Sequence, residues 1–374
     1  MTATITTLDE FEREFRDGLG VPLTPRAWRT VTPEWVQRFS DGVGDYNPLY
    51  RDEEYADEAR FHQLVASPAS IFSINFGAMP SIWGHLAPGY VPMSALTILY
   101  GGARIQWHRP IWVGDRVRAI ETPESITRKA LRQIPEALVC TGRTEYFNHR
   151  GEKIATLHND MLRFANQGRG VDAAPREVGE QIAPDPLVWS RERRGAAPLY
   201  GTDVAVGDEL PELAKGTFTR TELYLFAHGA LSTKRAAKVA PRAVDVGAGG
   251  RAGPECARKE RAQEGSFDFG PQRFCWMIQL VTDWMGDQGT LESFTARLHR
   301  PNIVGDTNRV QGRVTGIRPD GDDFVAEVAV EVVNQSDATT TAGTATVRLP
   351  SGGADLGNEI LFTKDVASNV GMYG

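Results

Sequence analysis

His108-Arg109-Pro110-Ile111-Trp112-Val113-Gly114-Asp115 returns later in the chain as His299-Arg300-Pro301-Asn302-Ile303-Val304-Gly305-Asp306, with six of eight residues identical at an offset of 191. Such a repeat organises everything around it, because each copy marks the same point in one structural unit. The match extends outward: Thr32, Phe39 and Gly42 reappear as Thr219, Phe226 and Gly229 at an offset of 187, and Asn148 as Asn334 at 186. The offset drifts only by loop lengths. The 374 residues therefore read as two copies of one unit, residues 1–165 and 195–374, with a linker at 166–194 whose stretch 167–186 is rich in Gly, Ala, Pro and charge.

Each copy combines a central apolar helix with alternating strands. In the second, Phe274, Met277, Ile278, Val281, Trp284 and Met285 recur at helical spacing. Pro271 suits the first turn and Gly286 the stop, so one wide face is expected to be buried. In the first copy Ser67-Pro68 opens the equivalent helix, Ile71, Phe72 and Ile74 lie inside it, and Pro80 ends it. Alternating β-branched and aromatic residues predict strands at 103–107, 116–122, 138–146 and 153–163, then at 293–298, 309–317, 323–333 and 340–349. One helix wrapped by an antiparallel sheet with one buried face is an α+β architecture, and two such units side by side bury each other's edges.

Composition narrows the function classes. Apolar residues at 41% and charged residues at 24% suit a globular chain. A formal charge of 41 minus 48, or −7, gives no footprint for a polyanion, so nucleic acid is not an expected partner. Cys140, Cys256 and Cys275 are odd in number and widely spaced, which disfavours a disulfide framework or a zinc site and fits a reducing cytoplasm. Apolar runs such as 71–79 are too short to span a bilayer, and residues 1–20 lack the apolar block of a secretory signal. A soluble cytoplasmic protein without metal or cofactor is expected.

The stretch Gly44-Asp45-Tyr46-Asn47-Pro48-Leu49-Tyr50-Arg51-Asp52, followed by Tyr55-Ala56, stands with both HRPxxVGD segments and with Asp283-Trp284-Met285-Gly286-Asp287. Together these resemble the MaoC-like acyl-thioester hydratases and dehydratases, double hot-dog proteins, including their N-terminal fatty-acid-synthase-type dehydratase region. The resemblance covers most of the chain. It implies a double hot-dog fold, a homodimer, and an acyl-CoA or acyl-carrier-protein thioester as partner. In that family an Asp and a His in a D-x-N-P-x-H pattern add or remove water at a 2-enoyl or 3-hydroxyacyl thioester.

Such chemistry needs a base for the α proton, an acid for the leaving hydroxyl, and donors for the enolate-like oxygen. By the resemblance, Asp45 and Tyr50 are the candidate catalytic residues and Asn47 a substrate-binding one. Tyr50 occupies the His position, and a tyrosine can donate a hydrogen bond but is a poor base near neutral pH. Their alternative role is to build the turn. Ser67 and Gly270, at the openings of the two central helices, are candidates for holding the thioester carbonyl, since unpaired N–H groups and a positive dipole end lie there.

The second copy lacks the motif. Ser232 falls opposite Asp45, Lys234 opposite Asn47, and Arg251 opposite Tyr50 once Cys256-Ala257 is matched with Tyr55-Ala56. His228, near the start of this stretch, is a candidate replacement for the lost base, although a single His is more often structural. An insertion near 234–264 carries eight basic residues against three acidic between 234 and 261. Arg251 and its neighbours could grip the phosphates of coenzyme A or a carrier arm; the plainer role is a solvated loop. His108 and His299, duplicated, point to a shared turn role, Asp268 to the cap of the second helix, and Cys275 to core packing. A lyase on an acyl thioester leads; the alternatives are a degenerate hot-dog scaffold turned to another reaction, one that binds an acyl or polyketide-like ligand, and a thioesterase.

Overall fold

The computed structural model describes residues 5–75, 96–165, 193–230, 257 and 263–352, apart from 24, 26, 132 and 133. The chain enters through α1 (Leu8–Asp17), opened by a Thr7/Glu10 capping box, and the edge strand β1 (Arg29–Thr30). Next come α2 (Pro33–Val43), α3 (Glu53–Glu58) and β2 (Val65–Ala66), and then the first central helix, a 3-10 turn at Pro68–Ser70 running into α4 (Ile71–Asn75). Five strands follow: β3 (Leu96–Trp107), β4 (Ile111–Trp112), β5 (Arg116–Lys129), β6 (Ala137–Asn148) and β7 (Lys153–Ala165). The second half contains β8 (Leu213–Thr217), α5 (Arg220–Tyr224) continuing as a π-turn at Leu225–Ala230, and α6 (Gly270–Met285). It closes with β9 (Thr290–Leu298), β10 (Thr307–Asp320), β11 (Asp323–Asn334) and β12 (Thr339–Pro350).

Ten strands form one sheet in the order β1-β5-β6-β7-β3-β9-β12-β11-β10-β8. Read from either end, the order passes through equivalent strands, and the halves join where β3 meets β9 antiparallel, from Gly102↔Arg297 to Gln106↔Ser293. This is a double hot-dog, as expected. The strands run longer than their alternating patterns suggested, and β1, β2, β4 and β8 were not anticipated.

The repeated octapeptide is a piece of construction. The N–H groups of His108 and Arg109 both donate to the Ile154 carbonyl, at 2.8 and 3.4 Å, and those of His299 and Arg300 to Thr340, at 2.9 and 3.3 Å. Asp115 Oδ2 accepts from the Trp112 N–H at 3.3 Å, and Asp306 Oδ2 from Ile303 at 2.8 Å. Gly114 and Gly305 take φ of 95° and 100°, which a side chain would strain. The two histidines thus share a backbone role at a strand end.

Equivalent residues meet where the halves face each other. Val65 pairs with Trp112 and Phe267 with Ile303, so Phe72 and Phe274, seven residues further on in each copy, are counterparts. Their rings meet with centroids 6.0 Å apart and planes tilted by 36°. Likewise Gly42 on α2 packs on the π-turn at its own repeat counterpart, Gly229, whose added Cβ would lie 3.4 Å from the Gly42 Cα.

Every residue of α6 is buried, which corrects the expectation of a single buried face: the sheet covers one side and the first half the other. Its N-cap is Phe269, not Asp268. Asp268 instead pairs with Arg273 in the first turn at 2.6 Å, both almost fully buried. Cys275 is core, as expected. Among the described residues no helix is long and apolar enough to cross a membrane.

A Cβ on Gly42 would sit 2.4 Å from the Ala230 nitrogen and 2.9 Å from the Leu225 carbonyl oxygen, backbone that cannot rotate away. Gly42→Ala is expected to lower stability by about 2–3 kcal/mol, the upper part of the range for overpacking, read from urea midpoints. Gly18→Ala, whose methyl would touch nothing closer than 3.6 Å, serves as the control and should cost much less.

Candidate active site

The motif region is a chain of local caps. α2 ends on Gly44 in the left-handed region, φ 73°, with its N–H donating to Asp41 and Ser40 carbonyls, and the Asp45 N–H then donates to Ser40 at 2.9 Å. Asp45 Oδ1 accepts from the Asn47 N–H at 3.1 Å. Asn47 Oδ1 accepts from Leu49 at 3.0 Å, opening the 3-10 turn Pro48–Tyr50. Asp52 Oδ1 accepts from Tyr55 at 3.1 Å, which starts α3. These short acids and amides hold their own backbone in a fixed bend. The bend turns Asp45, Asn47 and Tyr50 inward, where all three are buried, while Tyr46 faces solvent under the Arg51 guanidinium.

Tyr50 is the meeting point. Burial first, and then the nearby Asp45 and Asp283 carboxylates, hold its phenol well above the usual tyrosine range, opposed by the hydroxyls of Ser67 and Thr282. The side chain therefore stays a neutral donor, not a base. Ser67 opens the first central helix, its Oγ accepting from the Ala69 N–H at 3.3 Å. Thr282 and Asp283 lie in the last turns of α6, and Asp283 is paired with Arg193 at 3.1 Å. Asp45, Asn47, Tyr50 and Ser67 are thus brought together with two side chains from the other half: Asp283, which sequence reasoning quoted within a motif without giving it a site role, and Thr282, which it did not single out. Gln279, Thr282 and Asp283 are polar residues in the largely apolar second half of the helix, and that was the available signal.

Gly270 lies elsewhere. Twelve residues of α6 separate it from Thr282, about 18 Å. A Cβ there would come within 2.4 Å of the end of the Leu298 side chain and 3.0 Å of the Tyr100 Cβ, so any larger residue would have to displace them. It borders a cleft of about 130 Å³ between the halves, lined by Leu99, Tyr100, Leu162, Phe267 and Leu298 around Asp268 and Arg273. Arg273 also donates to Thr340 O and Thr341 Oγ1, both at 2.9 Å. The backbone at His228 forms part of the π-turn; its imidazole, together with Arg251, Ser232, Lys234 and nearly all of the insertion and linker, lies outside the described residues. Among the described residues no three His, Cys, Asp or Glu side chains are grouped to hold a metal.

A latch ties the motif region to the end of α6. The Tyr55 hydroxyl donates to Asp287 Oδ2 at 2.6 Å, and Arg60 Nη1 donates to the Gln288 and Gly289 carbonyls, both at 3.1 Å, and to Thr290 Oγ1 at 2.9 Å. Burial raises the Asp287 pKa, and the Tyr55 hydrogen bond holds it down.

Residues 19–157 match the family model described as FAS1-like, dehydratase domain region. A UPF0336 protein of Parafrankia is 30% identical over 128 residues, 33% of this chain and 78% of that protein. One from Streptomyces coelicolor is 28% identical over 144 residues, 38% of this chain and 91% of that protein. A protein of Thermomonospora curvata named "Probable enoyl-CoA hydratase alpha subunit" is 26% identical over 172 residues, 42% of this chain but only 52% of its own length. Among solved structures, a MaoC-like dehydratase covers 90% of this chain and 99% of itself with a TM-score of 0.66 at 20% identity. A conserved hypothetical protein of Mycobacterium tuberculosis with a double hotdog fold covers 90% and 97% at 0.58 and 13% identity. The chain belongs with the UPF0336 proteins and carries a FAS1-type dehydratase region in its first half, and its fold is the double hot-dog of the MaoC-like dehydratases.

Tyr55→Phe removes the donor from a buried carboxylate, at an expected cost of about 1–3 kcal/mol near neutral pH. The sign follows from the raised Asp287 pKa: the folded state binds the extra proton, so stability falls as pH rises from the ordinary aspartate value through the raised one. Without Tyr55 that fall should be steeper, and urea midpoints of the variant and parent should converge in acid. Parallel curves across the range would contradict the account.

Proposed function

We propose that this chain is a lyase that adds or removes water across the α,β bond of a 2-enoyl or 3-hydroxyacyl thioester, in its first-half site. One observation carries the reading: Asp45 and the Tyr50 hydroxyl converge in a buried polar cluster at Ser67, where the first central helix opens. In the dehydration direction Asp45 takes the C2 proton, the C2–H electrons form the C2=C3 bond, and the C3–O bond breaks. The proton gained by Asp45 passes through the Tyr50 hydroxyl to the departing hydroxyl, so the products are a 2-enoyl thioester and water and the carboxylate is restored. Asn47 shapes the turn beside the substrate, and Ser67 marks where the thioester oxygen is held. The thioester is carried by coenzyme A or an acyl carrier protein, with Arg251 and the basic insertion as the phosphate contact, and the chain works as a cytoplasmic homodimer without a cofactor.

A second reading, a scaffold that binds an acyl ligand without this chemistry, has its own support: Asp45 Oδ1 is occupied by the Asn47 N–H, and the second half lacks the motif. Asp45→Asn separates the two. Hydration of short and medium 2-enoyl-CoA thioesters, followed by loss of the enoyl absorbance, should fall by roughly two to four orders of magnitude with the urea midpoint little changed. Turnover that survives the substitution, or a chain that no longer folds, would assign Asp45 to the turn alone, and His228→Ala would then be the variant to assay.

A further inference from the structure

The turn that carries Asp45 is held from outside its own half. Lys215, on β8 at the far end of the sheet from β1, reaches across so that Nζ donates to the Val43 carbonyl at 3.1 Å and the Gly44 carbonyl at 3.2 Å. Its third hydrogen goes to Gln279 Oε1 at 2.7 Å, and Gln279 Nε2 donates back to the Gly44 carbonyl at 3.2 Å. The ammonium lies 5.7 Å from the centre of the Trp276 ring. A Cβ on Gly44 would stand at ordinary contact distance, 3.5 Å, from Nζ, so the glycine is required by its φ of 73° and not by the lysine.

The Val43 carbonyl is the last of α2 and the Gly44 carbonyl that of its C-cap; the last carbonyls of a helix have no partner within it and carry the negative end of its dipole. Asp45 follows directly. The buried Cys275 thiol is pushed up by burial, down by Lys215 and up again by Asp45, so both charges act on one sulfur. Among the described residues, charged groups that act close to this point include Glu222 on α5, which Lys215 influences, and Asp283 on α6, which with Asp45 faces Tyr50.

We infer that Lys215 is a positioning residue for Asp45, supplied by the half that has lost its own motif: it fixes the Gly44–Asp45 peptide and places an ammonium group behind the carboxylate. It is not a proton donor in the reaction, because its three hydrogens are engaged. The inference rests on the proposed role of Asp45 as base, and its test includes a readout that needs no substrate.

Lys215→Met removes charge and donors at similar length. With 2-enoyl-CoA thioesters, kcat should fall by roughly 10- to 100-fold, the scale of a small misplacement of a reacting group, with KM less affected. The acidic limb of the kcat profile should move up by roughly one pH unit, because a carboxylate that loses a neighbouring cation holds its proton more tightly. Lys215→Arg should restore part of the rate and most of the limb.

The substrate-free readout is a thermal double-mutant cycle. Lys215→Met should lower the midpoint less when combined with Asp45→Asn than alone. Additive midpoints with an unmoved limb would make Lys215 a helix cap only and overturn the inference. Coupled midpoints in a protein that turns over none of the thioesters would overturn the proposed function and uphold the Lys215–Asp45 link. Should Lys215→Met fail to fold, Lys215→Gln enters the same cycle, and additivity there overturns the inference equally.

Discussion

A helix of sixteen residues buried on every side cannot be stable within a single hot-dog unit, whose sheet covers only one of its faces. α6 makes this demand. It carries Gln272, Arg273, Gln279, Thr282 and Asp283 into the interior beside Phe274, Trp276 and Ile278, and buried polar groups cost several kcal/mol unless partnered. The first half supplies much of what is needed: Phe72 and Tyr100 for the apolar surface, the Gly44 carbonyl for Gln279, and Tyr50 opposite Thr282 and Asp283. The joined β3 and β9 hold the two halves in the register that makes these contacts.

Seen from this helix, the polar groups near Asp45 and those near Asp268 occupy opposite ends of one rod. At the far end Arg273 is consumed by Asp268, two threonines and a carbonyl, which makes it a brace for strand β12. At the near end the polar groups come from both halves and surround one phenol. There the Asp45 carboxylate shares its surroundings with a neutral phenol, whereas Asp268 is locked in an ion pair with Arg273 at 2.6 Å.

Much of the architecture was legible from residues close together in sequence. The octapeptide repeat revealed the duplication because Gly114 and Gly305 need positive φ and Asp115 and Asp306 cap the same turn. Long strands announced themselves by alternation. β1, β2 and β4, of two residues each, are too short to hold a period, and Gly101 and Gly102 interrupted β3 at its bulge. The same division holds at the site. Asp45, Asn47 and Tyr50 lie within one bend, so one motif marks them, whereas Lys215 reaches Val43 across 172 positions and Gln279 reaches Gly44 across 235. No local pattern encodes such distances, and the cap expected at Asp268 failed because Arg273, one turn on, captured its carboxylate.

The crossing of Gly42 on Gly229 has an evolutionary consequence. In an assembly of two identical subunits every substitution falls on both sides of the axis at once, so neither active site can change alone. Here the near-symmetry is internal to one polypeptide, and each codon is inherited separately. One copy is free to drift while the other stays under selection, provided the backbone contact at the axis survives. The missing motif of the second half, beside an intact glycine crossing, is the pattern that such unequal inheritance leaves behind.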